Sequence, residues 1–199
     1  MQIIVRAKPG RLVPKLPIIP ADMKQPQARN PRRQSIQIRH ARKNDRDAIW
    51  QIFQAVVARG DTYVFDPQIS RIKALGYWFG QKRRCYVAVS DERIVGTYIL
   101  NANQPGLGSH VANAGFMVAP SAQGCGIGRA MGEHCLREAE RLGFGAMQFN
   151  FVVSTNKTAL RLWKDLGFRI AGRLPGAFRH TQEGFVDVYV MYRRLSPAV

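Results

Sequence analysis

The sequence contains few cysteines and no long apolar run. Its 199 residues include three cysteines, Cys85, Cys125 and Cys135. No two of them form a Cys-x-x-Cys pair and no histidine lies at a zinc-binding spacing, so neither a disulfide framework nor a metal site is predicted. No window approaches the roughly 18 consecutive apolar residues of a membrane span. We therefore expect a cytoplasmic protein with no metal and no membrane partner.

Acidic side chains are also scarce. The chain has 13 Asp and Glu against 30 Lys and Arg, which gives a formal net charge of +17. Such a field favours anionic ligands, and both a phosphate-bearing cofactor and nucleic acid are anionic. The sequence shows no helix-turn-helix signal and no basic stripe interleaved with aromatic residues, so we do not expect nucleic acid as a partner. The charge is interpreted mainly as a solvated surface.

Proline is concentrated near the N-terminus. Six of the 11 prolines fall in residues 6–33, where they exclude a continuous helix. We predict an N-terminal arm over residues 1–35, rich in proline and arginine, followed by one α/β domain over residues 36–199.

The domain alternates strand and helix patterns. Hydrophobic periodicity predicts seven strands, at Ser35–Arg39, Cys85–Val89, Ile94–Leu100, His110–Val118, Ala146–Val153, Phe168–Arg173 and Phe185–Arg193. Four helices are predicted: one beginning at Asn44 or Asp45, one from about Pro67 to Phe79, one with Met131, Cys135 and Ala139 on its buried face, and one capped by Ser154 or Thr155. A loop is predicted at Leu174–His180.

A glycine-rich segment, Gln123-Gly-Cys-Gly-Ile-Gly-Arg129, joins the fourth strand to the third helix. Three alternate glycines allow backbone N–H groups to converge on an anion at a helix N-terminus. A nucleotide P-loop requires Gly-Lys-Ser/Thr, whereas Arg129 and Ala130 follow the last glycine here. The dinucleotide pattern Gly-x-Gly-x-x-Gly/Ala does not fit either. The remaining readings are Gln-x-x-Gly-x-Gly, which would cradle a diphosphate, and a plain strand-to-helix turn.

Gln-x-x-Gly-x-Gly, together with Asn156-x-x-Ala159 and Leu166-Gly167-Phe168, resembles the signature of the GNAT acyltransferases, and the element order agrees. The resemblance implies an α/β (α+β) fold with a mixed, mostly antiparallel sheet that splays between strands 4 and 5, flanked by about four helices. It implies an N-acetyltransferase with acetyl-CoA as cofactor.

The same resemblance implies a set of cofactor-binding residues. The pantetheine arm would lie along the edge of strand 4, and Asn156 would lie beside it, although a helix-capping role for Asn156 is the alternative. Trp163 stands where many family members have a proton-donating tyrosine, and its indole cannot donate a usable proton. Cys125 has no adjacent base and is not expected to be a nucleophile. The implied cofactor residues are Phe116, Met117, Val118, Gln123, Gly124, Cys125, Gly126, Ile127, Gly128, Arg129, Asn156 and Trp163.

A narrower resemblance implies the class of acceptor. The segments around Asn113 and Asn150 resemble the fungal acetyltransferases that detoxify proline analogues such as azetidine-2-carboxylate, and their bacterial relatives. Asparagine is a poor strand residue, so its presence in two apolar strands needs a reason. We expect the pair to hold the carboxylate and amine of a small acceptor; the alternative is that each satisfies a nearby backbone group.

The chemistry implied is direct attack of an acceptor amine on the thioester. A backbone N–H at the end of strand 4, from Met117 or Val118, would stabilise the developing oxyanion. Asn113, Asn150 and Val118 are the predicted catalytic residues. The predicted acceptor-binding residues are Asp61, Thr62, Tyr63, Asn113, Asn150 and Phe178.

Two alternatives to this interpretation remain open, and so does the oligomeric state. The acceptor could instead be a protein N-terminus or a lysine, or the chain could be a non-catalytic acetyl-CoA-binding or nucleic-acid-binding module. An edge strand near the C-terminus could pair in a homodimer.

Overall fold

A computed structural model describes residues 35–196. Within this range the chain forms seven strands and four α-helices. In chain order they are β1 (Gln37–His40), α1 (Arg46–Val57), α2 (Arg71–Trp78), β2 (Arg84–Ser90), β3 (Arg93–Ala102), β4 (Val111–Val118), α3 (Ile127–Arg141), β5 (Ala146–Val153), α4 (Lys157–Asp165), β6 (Arg169–His180) and β7 (Gly184–Arg194). The predicted N-terminal arm, apart from Ser35, lies outside the described residues.

The seven strands form one sheet in the order β1-β2-β3-β4-β5-β7-β6. All neighbours are antiparallel except β4 and β5, which are parallel and joined through α3. These two strands pair only at Val111 with Ala146 and at Ala112 with Met147. Beyond that point they diverge, which confirms the predicted mixed sheet with a splay between strands 4 and 5.

Helices α3 and α4 cover one face of the sheet. The predicted buried stripe of α3 is confirmed, because Met131, Cys135 and Ala139 are fully buried. The two helices pack closely at Gly132, where an ideal Cβ would lie 2.6 Å from Leu166 Cδ1. Glycine at this position therefore allows α3 and α4 to lie in close contact.

Helices α1 and α2 cover the other face. Trp78 of α2 is fully buried and its Nε1 donates to Thr97 Oγ1 at 2.9 Å, while that hydroxyl donates to Tyr86 O at 2.8 Å. The indole and the hydroxyl are therefore both satisfied inside the core. The bond fixes α2 against β3, and α2 then forms a wall beside the gap.

Two helix starts differ from the prediction. Helix α2 begins at Arg71 rather than near Pro67, because Ser70 caps it by accepting from Lys73 N at 3.4 Å. Helix α4 is capped by Asn156 and not by Ser154 or Thr155. Ser154 N still donates to Asp187 O of β7, so the strand continues to pair here and the helix starts later.

The predicted loop at Leu174–His180 is wrong. The segment belongs to β6, which runs to His180 with a register shift between Leu174 and Phe178. Gly176, at φ +58°, occupies this bulge and its N–H donates to Asp187 Oδ1 at 3.0 Å. The Pro175-Gly176 pair therefore marks a β-bulge. The Asp187 side chain of β7 stabilises it by accepting the hydrogen bond that a backbone carbonyl would accept in a regular ladder.

No helix among residues 35–196 has the length and apolar character needed to cross a membrane.

Candidate functional site

The gap between β4 and β5 contains backbone groups of β4 that no strand pairs. Val111 O accepts from Asn103 N, and Ala119 N donates to Val95 O, so odd-numbered residues of β4 direct their backbone groups towards β3. Successive residues of a strand address opposite neighbours. The N–H and C=O groups directed into the gap therefore belong to Ala114, Phe116 and Val118.

A cavity of about 300 Å³ lies in this gap and is lined by residues from both faces of the sheet. Tyr63, Trp78 and Asn101 line it on the side of α1 and α2, and Ala159 and Trp163 line it on the side of α4. Its described lining contains amide, hydroxyl, aromatic and aliphatic groups and no Asp, Glu, Lys, Arg or His. A cavity lined from both faces of the sheet gives the reacting groups of two molecules room to meet.

Carboxamide side chains form a hydrogen-bonded row beside the cavity. Asn150 Oδ1 accepts from Gln148 Nε2 at 2.7 Å, and Asn150 Nδ2 donates to Asn103 Oδ1 at 2.7 Å. Asn101 and Asn113 lie opposite each other in the β3–β4 register and line the same cavity as Asn150. The structure thus brings Asn113 and Asn150 to one cavity. The side-chain amides of Gln148, Asn150 and Asn103 can each form further hydrogen bonds with a ligand.

A β-bulge directs Asn150 into this position. Asn150 and Phe151 lie where the β5–β7 register shifts between Phe149 and Val152. A bulge bends its strand and changes the direction of the side chains, and bulges are frequent beside active sites. Asn150 and Phe151 both line the cavity. The bulge therefore accounts for two consecutive residues, Asn150 and Phe151, that both face the cavity.

Tyr63 lies on the loop after α1 and reaches across to β4. Its hydroxyl donates to Phe116 O at 2.8 Å, one of the carbonyl groups that point into the gap. Its ring stacks on Phe65 with centroids 5.9 Å apart. Burial raises the pKa of Tyr63, so the phenol stays protonated and serves as a donor, not as a base.

The glycine-rich segment is exposed from Gln123 to Gly126, and its backbone there is open. Gly124 and Gly126 have φ angles of +78° and +79°, and an ideal Cβ on either would meet no atom within 4 Å. Gly126 is the N-cap of α3, whose first N–H groups have no partners within the helix. Left-handed glycines and a free helix N-terminus together fit the phosphate groups of a cofactor. Gly128 serves packing, because an ideal Cβ there would lie 3.4 Å from Leu162 Cδ2.

The other predicted cofactor residues have different surroundings, and the side chain of Met117 is buried in the core beneath α1 and α2. Asn156 caps α4 by accepting from Ala159 N at 3.0 Å, the alternative that the sequence left open, and it also lines the cavity. Trp163 is 7% exposed and packs against Phe116, with ring centroids 4.9 Å apart. Arg129 forms an ion pair with Asp165 at 2.8 Å, so its side chain joins α3 to α4.

The predicted acceptor residues divide between two cavities. Asp61 lies in a second cavity of about 520 Å³, where it pairs with Arg59 at 2.7 Å. Thr62 lines both cavities, and Tyr63 lines the first. Phe178 lines neither of them; it is 6% exposed and its ring meets Phe151 edge-on. Phe178 therefore packs against Phe151, which lines the first cavity, and does not line that cavity itself.

Sequence reasoning missed three amides of this region, Asn101, Asn103 and Gln148. Gln148 lies two residues before Asn150 and so shares its face of β5, a spacing that could have identified it. Asn101 and Asn103 follow the predicted end of their strand at Leu100. The β3–β4 register places Asn101 opposite Asn113, and Asn103 is connected to the site through its hydrogen bond with Asn150.

The chain belongs to the acetyltransferase (GNAT) family, whose family model matches residues 46–168. It is 33% identical over 151 residues to N-acetyltransferase aca1 of Schizosaccharomyces pombe. The match covers 67% of this chain and 72% of that protein. Family membership makes the protein an acetyl-CoA-dependent N-acetyltransferase, as the sequence predicted.

Solved structures support the same assignment. A GCN5-related N-acetyltransferase from Kribbella flavida is 43% identical, with a TM-score of 0.77 over 80% of this chain and 98% of the other. The fold is also that of yncA from Salmonella typhimurium, solved with its cofactor acetyl-CoA, at 22% identity and a TM-score of 0.72 over 83% and 96% of the two chains.

Proposed function

We propose that the protein transfers an acetyl group from acetyl-CoA to the nitrogen of a small amino-acid-like acceptor, such as a proline analogue. The observation that carries the proposal is the cavity between β4 and β5, into which these strands each direct an asparagine, Asn113 and Asn150. The 33% identity with a fission yeast N-acetyltransferase agrees with the resemblance to fungal acetyltransferases.

The amides are suited to both groups of such an acceptor. Amide N–H groups donate to a carboxylate, and amide oxygens accept from an amine. Gln148 and Asn103 hold Asn150 in one orientation, so little side-chain entropy is lost when an acceptor binds. The amine would then lie in the gap, near the backbone groups of β4.

Of the two predicted oxyanion donors, the hydrogen-bond phase of β4 favours Val118. Its N–H points into the gap, whereas Met117 pairs towards β3. Acetyl-CoA, when bound, supplies an activated thioester carbonyl, and a fixed N–H near that position would favour attack by the amine. Among residues 35–196 the lining of this cavity holds no carboxylate or imidazole, so the amine proton would leave to solvent water.

A panel of acceptors tests the proposal. Azetidine-2-carboxylate, hydroxyprolines and the common amino acids would each be mixed with enzyme and acetyl-CoA, and free thiol release would be followed. We expect turnover with cyclic imino acids. Turnover of peptides or lysine side chains alone would show that the acceptor is a protein.

Asn150→Ala tests the site itself. The variant should lose about 10- to 100-fold in kcat/KM for the acceptor, because one or two hydrogen bonds to a charged group disappear, while acetyl-CoA affinity is kept. Asn44→Ala, at an exposed asparagine before α1, is the matched control. Unchanged kinetics in Asn150→Ala would make Asn150 a structural residue.

We also propose a homodimer formed through β6. This strand is an edge of the sheet and exposes Ile170 and Leu174 at 42% and 43%. Exposed apolar residues on an unpaired edge favour pairing with a second strand. Light scattering after size exclusion should give twice the mass of 22.4 kDa, and Leu174→Lys should give the monomer mass.

The three cysteines are free, which supports the predicted cytoplasmic location.

A further inference from the structure

One face of β4 has a polar position followed by an apolar one. Asn113, Gly115 and Met117 lie on the face towards α1 and α2, because side chains alternate along a strand and Met117 is buried beneath these helices. In the β3–β4 register Asn101 lies opposite Asn113, and Ile99 lies opposite Gly115. All four of these residues line the cavity between β4 and β5. On this face the cavity therefore has a polar end at the asparagines and an apolar end at Gly115.

The apolar end contains a small space over Gly115, which we call the Gly115 recess. An ideal Cβ on Gly115 would lie 3.4 Å from Tyr63 Oη, 3.6 Å from Ile99 Cγ1 and 3.8 Å from Trp78 Cη2. Nonbonded carbon atoms are in optimal contact at about 3.5–4.0 Å. A single methyl or methylene group therefore fits in the recess with contacts on three sides.

Neither conformation nor packing within residues 35–196 requires glycine at position 115. Its φ angle lies outside the left-handed region, and a Cβ there would meet only ordinary contacts. Gly96 of β3 differs, because an ideal Cβ at that position would lie 2.9 Å from Met131 Cε. Glycine inside a strand often marks a place where a ligand or another backbone approaches closely. Since no described group fills the recess, the glycine points to a ligand.

The three walls of the recess are fixed. Trp78 is fully buried and its Nε1 donates to Thr97 Oγ1 at 2.9 Å. Ile99 is 4% exposed, and Tyr63 Oη donates to Phe116 O at 2.8 Å. Closely packed walls move aside for extra atoms only at a cost in free energy. The recess should therefore discriminate between groups that differ by one carbon atom.

The distance between the polar and apolar ends suits a small amino acid. Residues two apart in a strand lie about 6.8 Å from each other. A hydrogen bond from Asn113 to the acceptor takes up about 3 Å of this distance. The remainder matches the short distance from the polar groups of a cyclic imino acid to the far side of its ring. An acceptor held by Asn113 would thus place its ring at the recess.

We propose that the Gly115 recess receives one ring carbon of the acceptor and so determines which ring size the enzyme binds, with Gly115 as the specificity-determining residue. The inference rests on the proposed function, since it takes the acceptor to be a cyclic imino acid held at Asn113. It assigns the discrimination between successive ring sizes to a position in β4 that has no side chain.

The test compares azetidine-2-carboxylate, proline and pipecolate, whose rings grow by one methylene group at each step. The Kd of each is measured by calorimetry with enzyme saturated with CoA, which carries no acetyl group, so binding is followed without turnover. Gly115→Ala places a methyl group in the recess. Gly76→Ala adds the same group on α2, where a Cβ meets open space, and is the matched control. Ratios of Kd values within one variant do not depend on how much of the enzyme is folded.

In Gly115→Ala the Kd for proline should rise about tenfold relative to that for azetidine-2-carboxylate, because one methylene group in an apolar pocket changes binding by about 10- to 200-fold. Gly76→Ala should keep the wild-type ratios. Ile99→Ala removes a wall of the recess and should shift the ratios towards pipecolate. Gly115→Ala decides the question, since its added methyl group meets only ordinary contacts and the fold should be kept. Ratios within about twofold of wild type in this variant overturn the inference.

Failure of the proposed function gives a different result. If the wild type with acetyl-CoA acetylates none of the imino acids but accepts another small amine, the proposed acceptor class is wrong. The Kd ratio is then measured for that amine and its homologue with one more methylene group. A change of this ratio in Gly115→Ala retains the recess as the determinant of acceptor size, and an unchanged ratio removes it.

Discussion

The cofactor loop and the acceptor cavity are built in opposite ways. The loop at 123–128 is a single run of residues, exposed from Gln123 to Gly126, whose useful groups are backbone N–H groups, presented by Gly124 and Gly126. The cavity is built from side chains on α2, β3, β4, β5 and α4 and on the loop after α1. A site made of backbone requires residues that lack side chains, whereas a site made of side chains requires a particular fold to assemble it.

This difference separates what the two regions determine. The loop can bind the same cofactor in proteins with unrelated acceptors, because it contributes no chemistry of its own. The cavity carries Asn113 and Asn150, and its shape depends on the bulge in β5 and the phase of β4. Substitutions in one region should therefore leave the other unaffected, and four tests examine this.

The largest effect is expected for Gly126→Val in the cofactor loop. A β-branched residue at φ +79° costs about 1–2 kcal/mol and fills the open arc, so the loop should change shape. The Kd for acetyl-CoA, measured by calorimetry, should rise by at least about tenfold. Gly145→Ala is the matched control, since a Cβ there meets open space. A lost affinity for the acceptor alone would contradict the separation.

A smaller effect is expected for Asn103→Leu beside the acceptor cavity. The variant leaves Asn150 Nδ2 without its acceptor, so KM for the acceptor should rise about 3- to 10-fold while the Kd for acetyl-CoA stays the same. Asn103→Asp keeps an oxygen at that position and should preserve the orientation of Asn150. Equal losses in both variants would argue that Asn103 does not act through this bond.

A third test concerns the scaffold under both regions. Tyr98 OH and His134 Nδ1 lie 2.7 Å apart, and burial lowers the pKa of His134. The hydrogen bond from Arg141 lowers the pKa of Glu138 to about 2. Unfolding exposes both groups to protons that the folded protein binds less readily, so stability should fall as pH drops below about 6.5 for the histidine and below about 4.3 for the carboxylate.

Melting temperatures measured from pH 8 to pH 4 check this dependence. His134→Gln should flatten the decline between pH 7 and pH 5, because glutamine does not titrate. His110→Gln, at an exposed histidine, should behave as wild type. Equal slopes in all three proteins would remove His134 as the cause.

The smallest effect is expected for Cys125→Ser. Cys125 is exposed in the cofactor loop, and its Sγ lies 3.7 Å from Gln123 O. If the backbone makes the site, the Kd for acetyl-CoA and kcat should stay within about twofold of wild type, a difference below 0.5 kcal/mol. A large loss of kcat would instead indicate a thiol nucleophile.

The order of elements and the cofactor loop could be predicted because their signals are local. The stripe of Met131, Cys135 and Ala139 follows from helical spacing, and the glycines follow from the conformations that they permit. The β6 bulge could not be predicted, because Asp187 supplies its partner from another strand. The same holds for the α4 cap, which begins late because Ser154 still pairs with β7.

The site was only partly predictable for the same reason. Asn113 and Asn150 could be identified because asparagine is unusual in an apolar strand. Asn101 and Asn103 lie at a strand end, where asparagine is ordinary. The register with β4 gives Asn101 its role, and the hydrogen bond from Asn150 gives Asn103 its role. Phe178 was predicted to contact the acceptor, but its burial behind Phe151 depends on how β6 continues.

The two residue pairs that join β4 to β5 also have a mechanical consequence. They make the gap a seam between the halves β1–β4 and β5–β7, which the sheet itself holds at one end only. A ligand that contacts Val118 on one side and α4 on the other would connect the two halves of the sheet at the end where the strands do not pair. Binding should therefore raise the melting temperature and slow amide exchange along the open edge of β4, so that the protein is most firmly assembled when its site is filled.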